Sequence, residues 1–286
     1  MLHEFILNMG RNIYLLVFLL CSCSLTGQTD QAAFLINESA ANIRDRFVLP
    51  SSYKRIEYPA DGFQNFLRNF PLKKYGTHVK LFDGSLKYRQ DVYCSVLDID
   101  TGKKDLQQCA DAVMRLRAEY LYKTGQFEKI HFNFSNGFRA DYIKWKLGYR
   151  IRIRSNRAAW VKTAEPDSSR KSFREYLDMV FMYAGSASLE RELVKVSLKN
   201  VSPGDVLIQG GSPGHALIVM DAAEDIKTGK RIFILAQSYM PAQDIHIVVN
   251  PENENLSPWY EADASVEQII TPEWNFTIDD IMRFKD

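Results

Sequence analysis

Residues 202–221 read Ser-Pro-Gly-Asp-Val-Leu-Ile-Gln-Gly-Gly-Ser-Pro-Gly-His-Ala-Leu-Ile-Val-Met-Asp, and this stretch decides the fold. A Pro-Gly-Asp turn leads into an apolar run at 206–208. A glycine-rich loop follows, and His215 opens a second apolar run at 215–220. Two further β-prone runs, 232–237 and 245–249, come after turns rich in Gly, Pro and Asp. Short strands joined by short turns pair with their chain neighbours, which predicts an antiparallel meander.

Upstream the apolar spacing becomes helical. Asp61 can cap a helix carrying Phe63, Phe66, Leu67 and Phe70, stopped by Pro71. Residues 79–88 predict a hairpin turning at Asp83-Gly84, and a strand is expected near 92–99. The clearest helix has Asp105 as cap, a stripe of Leu106, Cys109, Ala110, Val113, Leu116 and Tyr120, and Gly125 past its end. Ile130, Phe132 and Phe134 alternate with polar residues as a half-buried strand, and 142–147 reads as helix. After an exposed loop at 166–169, Phe173, Leu177, Val180, Phe181 and Ala184 mark another amphipathic helix. The fold class is α+β, helices mostly first and a sheet mostly late.

The chain has 286 residues, enough for one large domain or two small ones, and a formal charge of +1. That balance predicts no general affinity for nucleic acid, and no phosphate-binding glycine loop opens a helix. Arg11, the apolar run 13–20 and Leu20-Cys-Ser-Cys23 resemble an export signal ending in a lipoprotein box. The resemblance implies a signal peptide over 1–22, acylation of Cys23, a tether over 23–36 and a single α+β domain over 37–286. An ordinary cleaved signal releasing a soluble protein is the alternative. The expected location is the periplasm or the outer membrane, with the membrane as partner through the lipid. Two cysteines remain, Cys94 and Cys109, and outside the cytoplasm a disulfide between them competes with a free thiol. No Cys/His cluster has metal-ligand spacing, and no cofactor is expected.

Three pieces carry chemistry. Cys109 lies in the first turn of its helix, where backbone N–H groups stabilise an anion and lower a thiol pKa. A buried, inert thiol on the apolar stripe is the bland account. His215 stands at a strand start beside a glycine loop that leaves room for a ligand, fixed and accessible as a base should be; a capping residue is the alternative. If 220–231 forms the hairpin turn, His215 lies opposite Gln237 or Ser238, a one-residue difference that flips the face, and Gln237 on the same face can orient the imidazole. Asp221, Asp244 and Gln243 are rival orienters.

The pattern Pro-Gly-Asp-strand followed by Gly-His-strand resembles the histidine-bearing part of NlpC-type cell-wall peptidases and their amidase relatives. In that superfamily a helix-N-terminal Cys, a strand His and a polar residue on the next strand follow in order, as Cys109, His215 and Gln237 do here. The resemblance implies a papain-like core at about 105–125 and 201–250, with a large insertion between. It implies a cysteine hydrolase cleaving an amide of peptidoglycan or an envelope peptide. Cys109 would attack, His215 would move the proton, and Gln108 with the Cys109 N–H would meet the oxyanion. Gly214 and Tyr239 would touch substrate. The usual Asp-Cys-Ser/Gly start is replaced by Gln108-Cys109-Ala110. The stretches Cys-Ala-Asp-Ala-Val-Met-Arg-Leu-Arg-Ala-Glu-Tyr-Leu-Tyr and Ala-Gln-Ser-Tyr-Met-Pro-Ala-Gln-Asp-Ile-His also resemble an exported lipoprotein family known as domain of unknown function 4846, which implies no activity. The contrasting expectation is a non-catalytic envelope lipoprotein binding glycan, peptide or a protein partner.

Trp145, Trp160, Tyr239 and Trp259 could line a groove, although packing is the commoner fate of such rings. The basic run from Arg139 to Lys162 could face lipid headgroups or an anionic polymer, or be a solvated face. His246, opposite two isoleucines in alternation, is expected at the surface.

Overall fold

The sheet grows outward from the two longest strands, His215–Asp225 and Arg231–Gln237. The computed structural model describes residues 35–263, 265 and 267–285. The signal, the acylation site Cys23 and most of the tether lie outside them. Among the described residues nine strands join one sheet, and all its pairings are antiparallel. Its order runs Tyr93–Val96, His246–Val248, Arg231–Gln237, His215–Asp225, Val206–Gln209, Ile281–Phe284, Leu193–Lys195. Tyr53–Arg55 pairs with the far end of the His215 strand, and Trp259–Glu261 with the far end of the Gln237 strand. The expected meander is therefore present, with an α+β architecture around it.

Both faces of this sheet are covered, which explains its continuous apolar runs. On one face Ile208, Ala216, Ile218, Ile234 and Ala236 pack on the helices. On the other, Leu207, Leu217, Val219, Phe233 and Leu235 meet Ile269 and Phe276 of a late hairpin, Gln268–Ile270 with Asn275–Thr277. Alternation assigns His215 to this second face, together with Leu217 and Val219.

The helix Cys109–Lys123 lies against the His215 strand. It begins four residues after the expected cap. Gln108 is the N-cap, and its backbone N–H donates to Asp111 Oδ2 at 3.0 Å. Asp105 instead accepts the Ala242 N–H at 2.6 Å, tying the segment before the helix to the sheet. Burial extends well beyond one stripe, because the helix Arg170–Tyr183 packs on its outer side, Phe173 stacked on Tyr122 at 4.3 Å. Arg115 is consequently buried, and it is paired, donating to Glu119, Gln107 and Asp100.

Between this helix and the His215 strand come two small hairpins, three α-helices, two short 3-10 helices and the sheet strands Leu193–Lys195 and Val206–Gln209. The basic run forms the hairpin Tyr149–Arg154 with Arg157–Lys162 and the short helix before it. Several of its cations rest on aromatic rings of the same region, Arg150 over Trp145 at 4.3 Å and Lys144 over Trp160 at 5.8 Å. Trp145 and Trp259 are core residues, so neither lines a groove. Among the described residues no helix is long and apolar enough to cross a membrane.

Candidate active site

Cys109 is the first residue of its helix, and its sulfur is buried beside the start of the His215 strand. It lies 4.0 Å from the carbonyl oxygen of Gly214, and the N–H groups of Ala110 and Ala216 point at it. Strand geometry explains the fit. Val219 exchanges hydrogen bonds with residues 204 and 205 on one edge of its strand. Alternation then turns the Gly214 carbonyl and the Ala216 N–H to the opposite edge, toward the Gln237 strand. Ala236 is opposite Ile218, so two residues further Ser238 would pair with Ala216. Ser238 turns away instead, its hydroxyl reaching the Gln107 and Gln243 carbonyls, both at 2.9 Å. The sulfur occupies the edge it leaves.

His215 is more deeply buried still. Its Nε2 is 2.8 Å from Gln237 Oε1, a diagonal contact between neighbouring strands, so this expected pair comes together. The ring packs on Tyr239, Trp274 and Phe276, with centroids at 5.0, 5.4 and 6.2 Å. Its Nδ1 makes no hydrogen bond within the described residues.

The electrostatics follow the buried-thiol account of Cys109 rather than the lowered one. Burial pushes the Cys109 thiol up to about 11, outweighing the pull of the Ala110 and Ala216 N–H groups. Burial likewise lowers His215 to about 4, against the Gln237 bond and with help from Lys87. At neutral pH Cys109 is a thiol and His215 a neutral imidazole, the ring turned to the sheet face opposite the helix that carries the sulfur. The helix N-terminus does not win, because desolvating an anion costs more than two backbone dipoles return. Cys94 and Cys109 are both free; the Cys94 sulfhydryl points at the Ile247 carbonyl at 3.8 Å, and burial raises it to about 12.

The rival orienters are committed elsewhere. Asp221 binds Arg55 and Arg68; Asp244 binds Lys73, Thr101 and the Lys80 N–H; Gln243 donates to the Pro241 carbonyl. His246 is not at the surface. It is fully buried opposite Gln237, because the sheet face that alternation left to solvent is covered.

Gly214 leaves no room for a ligand. A Cβ there would meet the Ser186 hydroxyl and, at 2.7 and 2.8 Å, the Gly211 and Gln209 carbonyls. Its lack of a side chain serves close packing of the loop that carries His215. Gln108 is half-buried, its amide donating to Asp105 Oδ1 at 3.1 Å. Tyr239 lines an open cavity of about 550 Å³ with Arg89, Thr271, Glu273 and Trp274.

Four members of this neighbourhood carry no signal in the sequence: Lys87, Glu273, Trp274 and Phe276. Gln237 Nε2 donates to Glu273 Oε2 at 2.7 Å, and Lys87 Nζ to Glu273 Oε1 at 2.8 Å. Among the described residues no group of three or more His, Cys, Asp or Glu could hold a metal ion.

A family model described as domain of unknown function (4846) matches residues 43–283. No curated protein and no solved structure matches the chain.

Proposed function

The chain belongs to that family of unknown function, and from there we propose that it is an exported, lipid-anchored cysteine hydrolase acting on an amide bond of the cell envelope. One observation carries the reading: the Cys109 sulfur rests against the Gly214 carbonyl and the Ala216 N–H, the backbone on both sides of His215, and Gln237 Oε1 is 2.8 Å from the imidazole Nε2. The order helix Cys, strand His, next-strand Gln also fits the NlpC-type pattern. The substrate would be peptidoglycan or an envelope peptide, entering from the cavity at Tyr239.

Because both groups are neutral at rest, the proton moves during attack. Neutral His215 takes the thiol proton at Nδ1 as the sulfur adds to the amide carbonyl. The oxyanion is met by the Cys109 N–H and the Gln108 side chain. Collapse breaks the C–N bond, and the imidazolium returns its proton to the leaving amine. Water, deprotonated by the same imidazole, then hydrolyses the thioester and regenerates the thiol.

Alkylation of Cys109 by iodoacetamide at pH 7, in a Cys94→Ser background, tests this. His215→Ala is expected to slow alkylation tenfold or more, and the same change should abolish release of amines from peptidoglycan fragments. Equal rates with and without His215 would overturn the mechanism.

The burial of the sulfur and its raised pKa favour a second reading, a non-catalytic lipoprotein that binds glycan, peptide or a partner in the same cleft. It predicts binding of peptidoglycan fragments by calorimetry, undiminished in Cys109→Ala, with no product formed by wild type.

A further inference from the structure

The Gln237 amide is fixed from behind by two groups that can only accept. Glu273 Oε1 takes the Lys87 ammonium, which has donors alone, and Glu273 Oε2 then accepts from Gln237 Nε2 at 2.7 Å. His246 Nδ1 is 2.9 Å from the Asp244 carbonyl and must donate to it. Its Nε2 is left a bare acceptor, 3.3 Å from the same Gln237 Nε2. Both protons of the amide are therefore claimed on one side, and only Oε1 can face His215. An oxygen there requires a proton on His215 Nε2, which leaves Nδ1 as the lone-pair nitrogen.

We propose that Glu273, through Gln237 and with His246 beside it, sets the tautomer of His215 and so is a positioning residue for the base at this site. The inference rests on the hydrolase reading for its purpose, but its physical content does not. The chain of direction runs Lys87 to Glu273 to Gln237 to His215, and every link is a buried or half-buried pair. Glu273 and Lys87 keep only 10% and 7% of their side-chain surface. Water competes poorly for such bonds, so an amide pointing the wrong way would strand buried groups without partners. Both rings are neutral at pH 7, His215 lowered to about 4 and His246 to about 3 by burial, so a tautomer is defined there.

The test is Glu273→Gln. Lys87 still demands an oxygen, so the new carboxamide gives its oxygen to Lys87 and turns its NH₂ toward Gln237. With His246→Phe added, which removes the acceptor His246 Nε2 sets against the same amide, Gln237 must then flip, presenting NH₂ to His215 and forcing the proton to Nδ1. Imidazole ¹⁵N shifts of the full chain, with His215 assigned from His215→Ala, should show an Nε2–H ring in wild type and an Nδ1–H ring in the variant. Adding Lys87→Met removes the demand for oxygen and should restore the Nε2–H form. A ring that stays Nε2–H in Glu273→Gln/His246→Phe overturns the proposal. If that variant does not fold, Lys87→Met/Glu273→Leu/His246→Phe gives the readout: a mixture of tautomers is expected, and a purely Nε2–H ring overturns it. Cys109 alkylation separates the two ideas. A tautomer switch that slows alkylation tenfold supports both, whereas a switch without slowing upholds the inference and removes the nucleophile reading.

Discussion

The Cys109 sulfur lies 4.0 Å from the carbonyl oxygen of Gly214, the residue immediately before His215. Under the proposed hydrolase mechanism the thiol loses its proton to the imidazole during attack; without it, reaction needs a thiolate formed in bulk equilibrium. The two routes differ in pH dependence. With the thiol near 11, the thiolate route rises about tenfold per pH unit from 6 to 10. The imidazole route is flat while His215 is neutral and falls only as pH drops through about 4. Wild-type alkylation should show a plateau between pH 5 and 8 that rises above it. His215→Ala should lose the plateau and climb throughout. A wild-type profile that already climbs tenfold per unit from pH 6 would exclude the imidazole route.

Two buried histidines make stability pH-dependent with a defined sign. In the unfolded chain each titrates near 6.5; folded, His215 falls to about 4 and His246 to about 3. The unfolded state therefore binds more protons below pH 6.5. Stability is complete above that value and lost as pH falls toward the folded values, by about 1.4 kcal/mol per unit for each ring. Asp111 acts oppositely, since burial raises its carboxyl and the folded state then holds the extra proton. The difference between wild type and His246→Gln isolates one ring. Urea unfolding at pH 6 and pH 5 should show a slope about 1.4 kcal/mol per unit shallower in the variant. Identical slopes would mean His246 is charged or solvated in the fold.

Gly214 is a steric requirement. A Cβ there meets the Gly211 and Gln209 carbonyls at 2.7 and 2.8 Å, and backbone cannot move aside as a side chain can. Gly214→Ala should displace the loop, cost about 1–3 kcal/mol, and slow Cys109 alkylation more than it lowers stability would explain. Gly137→Ala is the control, since nothing lies within 4 Å of the Cβ it would add, although its φ of +85° strains the substitution. It should destabilise by about 1–2 kcal/mol and leave alkylation unchanged. Equal alkylation in both variants would show that the His215 loop tolerates the shift.

What could be read from the residues alone was local. The four late strands and the Cys109 helix follow from apolar runs, turn residues and helical spacing, each within a short stretch of chain; which residue of the next strand meets His215, Gln237 or Ser238, stayed open to a one-residue register shift. Placement across longer distances was not legible. His246 alternates as a surface residue would, and nothing near it tells that a hairpin thirty residues later covers that face. Glu273 reads as an acid in a turn, yet it closes the bond chain from Lys87, 186 positions away. The choice between a lowered and a buried, inert thiol at Cys109 is likewise not settled locally. Helix position is visible in sequence, but the depth of burial that overrides it comes from the sheet edge Ser238 leaves.

Asp221 illustrates the same limit and gives a sharper stability forecast. Fully buried at the far part of the His215 strand, it takes Arg68 Nε at 2.6 Å and Arg55 Nε at 2.8 Å, from residues more than 150 positions earlier. Two guanidinium groups thus share one carboxylate. Arg68 also donates to the Ile56 and Ala222 carbonyls, so it cannot swing to solvent without stranding them. Asp221→Asn removes the negative charge and leaves two cations facing each other in the interior. The loss should be about 3–5 kcal/mol, read from urea midpoints at pH 7. Exchanging Arg68 and Asp221 together for Met and Leu removes both the anion and one cation, and should cost less than Asp221→Asn alone. The reverse order would mean that the pair stabilises the sheet by its own attraction and not merely by satisfying charges that burial has made expensive.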